Sequence, residues 1–357
     1  MTPRTRLAAL ALTGTLALTG CSGSGSSAAP GPVAAEPGSS PELTAQPVGT
    51  VVSAGGNQPE GVVVVDGTLV VAVRETSGLV FLDLAADGSG ARVIEKLTTD
   101  QSSRHLDLAT PAGPVLVPLE GTNELLTVDV PTRTVATDAK DVGDGPHNAA
   151  RTADGTDVVT NEHGGGVLFV RGGEVVGSLP AGPPQPGGLA VVGDYAAVAD
   201  VQGGGVWVYD ARTMTQVAQK PVGALLTHAI TLAEPGRVDG TDAARAVVAI
   251  ADTSGGAVEL ERITPQVEDV GRIDAPGSPY GLAYDAARAV LYVTLTDTNL
   301  LRVVDLADPA NPRVLGDLPT VRQPNSVTVD ERSGTVVVAG NHDGNLQLIP
   351  RALLPGG

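Results

Sequence analysis

The feature that most constrains this chain is a set of four short apolar runs that recurs about every 44 residues. In the first set the runs cover residues 61–66, 68–73, 79–84 and 91–97, rich in Val, Ile and Leu and separated by Gly, Asp and Ser. Short β-branched runs bounded by turn formers, with no long helical period between them, read as strands and turns. Comparable sets follow His105, His147, Gly187, His228, Tyr280 and Asn325. A residue pair opens each set: Pro59-Glu60, Arg104-His105, Pro146-His147, Pro186-Gly187, Thr227-His228, Pro279-Tyr280 and Pro324-Asn325. Four strands per unit at this period are the signature of propeller blades, so the chain is expected to be all-β, a seven-bladed β-propeller.

The last set is one strand short, with runs only at 326–329, 335–339 and 346–349. A strand-like piece at 43–52 can pair as the outermost strand of that blade, which closes the ring and removes an open edge. The propeller is therefore assigned to residues 42–357 as one domain, with an insertion in the fifth set near 234–244.

Ahead of it, Arg4 and Arg6 precede an apolar run at 7–18 that ends in Leu18-Thr19-Gly20-Cys21. A basic stretch followed by a short apolar one reads as an export signal, since a bilayer span needs about 20 apolar residues. The ending resembles the bacterial lipobox. That resemblance implies a lipoprotein signal peptide at 1–21, lipidation of Cys21, and an extracytoplasmic protein anchored to the cell membrane. Residues 22–41, rich in Ser, Gly, Ala and Pro, read as a flexible tether. Cys21 is the only cysteine, so the propeller has neither disulfides nor thiolate ligands. A net charge of −18 argues against nucleic acid as a partner. With one Trp, two Phe and five Tyr, a stacking pocket for sugars or bases is hard to build.

The five histidines fall in two registers. His105, His147 and His228 stand where innermost strands begin. His163 and His342 lie in turns between second and third strands. Both registers map to one face of a propeller, at the mouth of the central channel, where loops on a rigid scaffold carry function. One histidine there reads as a polar loop residue, but three imidazoles around one mouth read as metal ligands. Zinc takes four N or O donors in a tetrahedron. The expected set is His105, His147 and His228 with His163 from the neighbouring turn, and His342 as a weaker or entry ligand. Glu60, Glu120, Glu162, Asp200 and Asp252 are acidic candidates at matching places, and Asp107 is placed to orient His105. Cu(I) is disfavoured by a chain with one Met in the propeller, Met214. Gly164-Gly165-Gly166 and Gly203-Gly204-Gly205 precede strands rather than helices, so they read as turns and not phosphate loops.

The stretches Gly145-Pro146-His147-Asn148-Ala149-Ala150 and Asn161-Glu162-His163-Gly164-Gly165-Gly166 resemble the extracytoplasmic zinc metallochaperones of the AztD type. The resemblance implies a non-enzymatic, monomeric propeller that carries zinc and passes it to the solute-binding protein of a zinc ABC transporter. His147 and His163 carry over directly, and His105 and His228 match as ring positions. The chain departs from that family in lacking a histidine-rich segment in its tether. Two other readings stand beside it: a propeller enzyme of the lactonase or lyase kind, with Glu162 as its base, and a metal-free protein-interaction scaffold.

Overall fold

Val, Ile, Leu and Ala dominate the apolar runs, which end in short turns; the second and third strands of each set are packed on both faces, whereas outermost strands such as Ala91–Thr98 and Thr134–Ala139 are largely exposed. A computed structural model describes residues 36–233, 246–264 and 266–356. The lipobox-like segment with Cys21, the tether before residue 36 and the 234–244 insertion lie outside the described residues. The described strands form seven four-stranded antiparallel sheets. Blades 1 to 6 span residues 57–98, 107–139, 146–179, 186–221, 226–274 and 279–319, each running from inner to outer strand in chain order. The protein is a seven-bladed β-propeller, as its repeats predict.

Blade 7 joins the chain ends. Its three C-terminal strands, Pro324–Asp330, Thr335–Gly340 and Asn345–Ile349, accept Thr50–Ser53 as the outermost strand. Thr50 faces Leu348 and Ser53 faces Asn345 in this antiparallel pair. The closing strand is shorter than the expected 43–52. Pro47 has no N–H to offer a ladder. The chain then turns at Gly49, whose positive φ of 84° and contact with the Leu348 carbonyl leave no room for a Cβ. The Gln347 side chain, fully buried, stitches this junction by donating to the carbonyls of Val48 and Pro319 and accepting from the Val321 N–H.

The core is divided into seven clusters, each filling the gap between two adjacent blades. Val, Ala and Leu dominate them, which is why so few aromatics suffice. Leu82, in the cluster between blades 1 and 7, is fully buried; cutting such a side chain to Ala costs about 2–5 kcal/mol. Between blades 2 and 3 the cluster is smaller, with Leu116, Leu125, Val159 and Val170 at its centre.

Residues 36–41, read from composition as the end of the tether, are seated on the propeller. Ser40 is 6% exposed, and its hydroxyl donates to the Thr296 carbonyl. The Gln323 side chain accepts from the Ser40 N–H and donates to the Gly38 carbonyl. Asn299 donates to the Pro41 carbonyl.

Candidate metal centre

The opening pairs of the repeats have a structural purpose. In six blades the inner strand slips register just there, at Pro59/Val62, Pro146/Ala149, Pro186/Leu189, Leu226/Ala229, Pro279/Leu282 and Pro324/Ser326. Such a bulge re-aims a side chain out of the alternation of the strand. Glu60, His147, His228 and Tyr280 all lie inside these steps, at the mouth of the channel. Blade 2 goes further: its inner strand pairs only over Asp107–Leu108, so His105 stands ahead of the ladder altogether.

His105, His147 and His228 come together. The His105 ring centroid lies 4.4 Å from that of His147 and 4.6 Å from that of His228, both edge-on. Tyr280 continues the row, 4.2 Å from His228. His105 and His147 are buried and His228 is partly buried. The Nδ1 atom of His228 is enclosed and has no hydrogen-bond partner. Blade 4 contributes no ring at this level, because the matching position is Gly187, where an added Cβ would lie 2.8 Å from Val201 Cγ2.

The carboxylates arrive from the turns. His147 Nδ1 lies 2.6 Å from Glu120 Oε1 and 3.0 Å from Glu162 Oε2. The donor atoms of Glu120, His147 and Glu162 all lie within 4.8 Å of one another, and these three residues form a group able to hold a metal ion. Gln185 steadies the far side of Glu162 by donating to Oε1 at 3.2 Å. A cleft of about 420 Å³, lined by Arg74, Arg104, Glu120, Asn123, Asp144 and His163 among others, leads from solvent to Glu120.

The electrostatics divide the histidines. Burial, reinforced by the neighbouring His147 and Arg104, pushes His228 down to about 3 and His105 well below its ordinary range. Burial acts the same way on His147, but the hydrogen bonds to Glu120 and Glu162 outweigh it and hold the ring up at about 9. Burial would raise Glu162, and the bond to His147 instead draws it down to about 2. Two neutral imidazoles, His105 and beyond it His228, therefore extend in a row from one imidazolium clamped between carboxylates.

Of the expected zinc ligands, three are brought into contact and one is not. His163 is exposed, its ring beside Gly145 at the lip of the cleft. Its backbone N–H is tied to the Asp144 carbonyl. His342 is exposed in blade 7, 2.6 Å from Asp343 Oδ1. Among the acidic candidates, Glu120 and Glu162 join the group and the others do not. Glu60 is held by Asn325, Asn341 and Arg74. Asp252 accepts the N–H groups of Ala224, Leu225 and Gly255 and so shapes a turn. Asp107 does not orient His105. Alternation along a strand fails where the ladder has ended, and the Asp107 carboxylate accepts the Leu108 N–H while lining the channel cavity below, about 610 Å³ in volume.

Arg104 was visible only as the neighbour of His105. Its side chain is 12% exposed and pairs with Glu36 at 2.9 Å. It lines the cleft beside Glu120, and its charge acts on His105, His228, Glu60, Glu162 and Tyr280.

Fold and site together define a seven-bladed propeller with a candidate carboxylate–histidine metal centre at one end of its channel. No family model and no curated protein matches the chain. Solved propellers match its fold. Kuenenia stuttgartiensis hydrazine synthase is 18% identical with a TM-score of 0.61, covering 88% of this chain and 100% of that one. The β-propeller domain of Cps50 (Swd1) from Myceliophteria thermophila is 12% identical with a TM-score of 0.68, over 85% and 98%. Virginiamycin B lyase from Staphylococcus aureus is 12% identical with a TM-score of 0.64, over 84% and 97%. At these identities the likeness concerns the fold alone.

Proposed function

We propose that the protein is an extracytoplasmic zinc metallochaperone, held at the membrane through a lipid on Cys21, that passes zinc to the solute-binding protein of an ABC importer. The observation that carries this reading is the mutual approach of Glu120, His147 and Glu162 within 4.8 Å, reached from solvent by a cleft. Two carboxylates and an imidazole suit Zn²⁺. The ion would replace the proton that His147 now holds between its carboxylates, so binding releases a proton. His105 lies against His147 and His228 lies against His105, both as neutral imidazoles, and the unpartnered Nδ1 of His228 is a buried polar atom that a ligand would satisfy. The mixed N and O donors favour zinc over calcium, which prefers an all-oxygen shell.

The lactonase or lyase reading asks for a general base. Both oxygens of Glu162 are engaged, Oε1 by the Gln185 amide and Oε2 by His147, so it does not stand free as a base, which favours carriage over catalysis.

The test is a competition titration of untagged protein against a chelator. His147→Ala and Glu162→Gln should each weaken zinc binding about 10–100-fold or more, and His342→Ala should leave it unchanged. Zinc should then move to the solute-binding protein faster than to free chelator. Wild-type affinity in a His147→Ala, Glu162→Gln double variant would refute the site, and equal transfer rates would refute the chaperone role.

A further inference from the structure

We infer that residues 36–41 form a lid across the propeller mouth, and that through the Glu36–Arg104 ion pair this lid controls passage from the Glu120 cleft to His105 and His228. The inference rests on the zinc site proposed above and adds its regulation.

Every anchor of the segment lies at the mouth. Gln323 sits just before the inner strand of blade 7, and Asn299 in the turn after Val290–Leu295 of blade 6. From Ser40, bound between these two blades, the segment reaches Glu36, whose carboxylate meets Arg104 at the entry to blade 2. It therefore passes over the opening rather than around the rim. The seating is close: a Cβ on Gly38 would lie 1.9 Å from Asp297 Oδ1 and 2.6 Å from Ser278 Oγ. The close fit is local, and the holding bonds are few. Ser40 and Gln323 exchange two of them, the Ser40 N–H to Gln323 Oε1 and the Gln323 N–H to Ser40 Oγ, both at 3.0 Å.

Beneath the lid, Arg104 lines the cleft beside Glu120, and its charge is felt at His105 and His228. Glu120 is 22% exposed and opens to the cleft, whereas the His147 side chain is 2% exposed and His105 is buried behind it. A cation arriving at Glu120 meets the guanidinium before it meets His105 and His228, and like charges this close repel strongly. Glu36 holds that guanidinium in place. When the lid lifts, Arg104 loses its partner and is free to swing toward solvent, opening the path to the imidazoles. Local openings of this kind draw on segments with few buried contacts.

The test reads histidine accessibility without any metal. Metal-free full-length protein is acylated with diethyl pyrocarbonate, and each histidine is followed by peptide mass spectrometry. Gln323→Ala deletes two side-chain bonds to the lid and should raise the acylation rates of His105 and His228 roughly thirtyfold, at about 1 kcal/mol per bond. Ser40→Ala provides a second variant with a smaller change in volume and should act in the same direction. The exposed His342 serves as internal reference for reagent activity and should keep its rate, and circular dichroism reports that the fold is intact. Unchanged acylation of His105 and His228 in both folded variants would overturn the lid. Absence of zinc binding in wild type would instead refute the metal site, while the acylation result would still decide whether the segment shields the mouth.

Discussion

Lowering the pH should destabilise the metal-free protein through His228, and the size of the effect follows from its surroundings. In the folded chain burial takes this imidazole from 6.5 to about 3. Above pH 6.5 it is neutral in both folded and unfolded chains and contributes no pH dependence. Between 6.5 and about 3 the unfolded chain binds a proton that the folded chain refuses, so stability falls as pH falls. Each pH unit in that window costs about 1.4 kcal/mol, and going from pH 6.5 to 4.5 costs about 2.5 kcal/mol. His105 acts with the same sign. His147, held at about 9, is protonated in both states over most of this interval, and its contribution fades only as pH rises from 6.5 through 9. Glu162, at about 2, loses its contribution only as pH falls from 4.5 through 2. The perturbation is His228→Leu, which removes the titrating ring and keeps an apolar body against His105 and Tyr280. The assay is urea unfolding after chelator treatment, followed by fluorescence of Trp207, the only tryptophan, at three pH values from 4.5 to 6.5. Titrating groups away from His228 are common to both proteins and cancel in the difference, while His105, which touches His228, is relieved of one of the charges that depress it. Wild type should lose about 2.5 kcal/mol more than the variant across this range. Parallel pH profiles for the two proteins would refute the reasoning.

Two further outcomes follow from the backbone. Gly166→Ala should destabilise by about 2–3 kcal/mol, because its φ of 69° is joined by a carbonyl, Leu179 O, only 1.9 Å from the added Cβ; Gly172→Ala, at φ 59° with open space around it, should cost about 1 kcal/mol. Thermal unfolding of the two variants checks the contrast. Deleting the residues up to Ser53 should leave Asn345–Ile349 as a bare edge, lowering the melting temperature and producing concentration-dependent association in light scattering.

The blade count and most of the ring of histidines were legible because one local device, a turn position followed by a re-aimed residue, is repeated at the start of six of the seven inner strands. His147 and His228 could be placed from that device alone. The same pattern misled about Asp107, since strand alternation was extended to a stretch where pairing has already stopped. Glu120 and Glu162 were visible as acids in the right turns, but their joint hold on His147 depends on a distance that no spacing encodes. His163 shares the register of the site and points away from it, because the Asn161-to-Gly166 turn carries its ring out over Gly145. Residues 36–41 have the composition of a linker, and their docking depends on Gln323 and Asn299, about 260–280 positions away, so nothing near them in sequence announces it.

The closing strand has a consequence for how the chain is made. Thr50–Ser53 emerges early in synthesis, yet its partner Asn345–Ile349 comes near the end. Joining the two closes a loop of nearly the whole domain, at an entropic cost of about 5 kcal/mol. Six blades are each contiguous in sequence and can assemble in order behind the ribosome. The seventh waits until Asn345–Ile349 has emerged, and until then the nascent arc has two unsatisfied ends and no completed channel. The mouth that gathers His105, His147 and His228 therefore takes its final shape in one late step, with the highest contact order in the molecule.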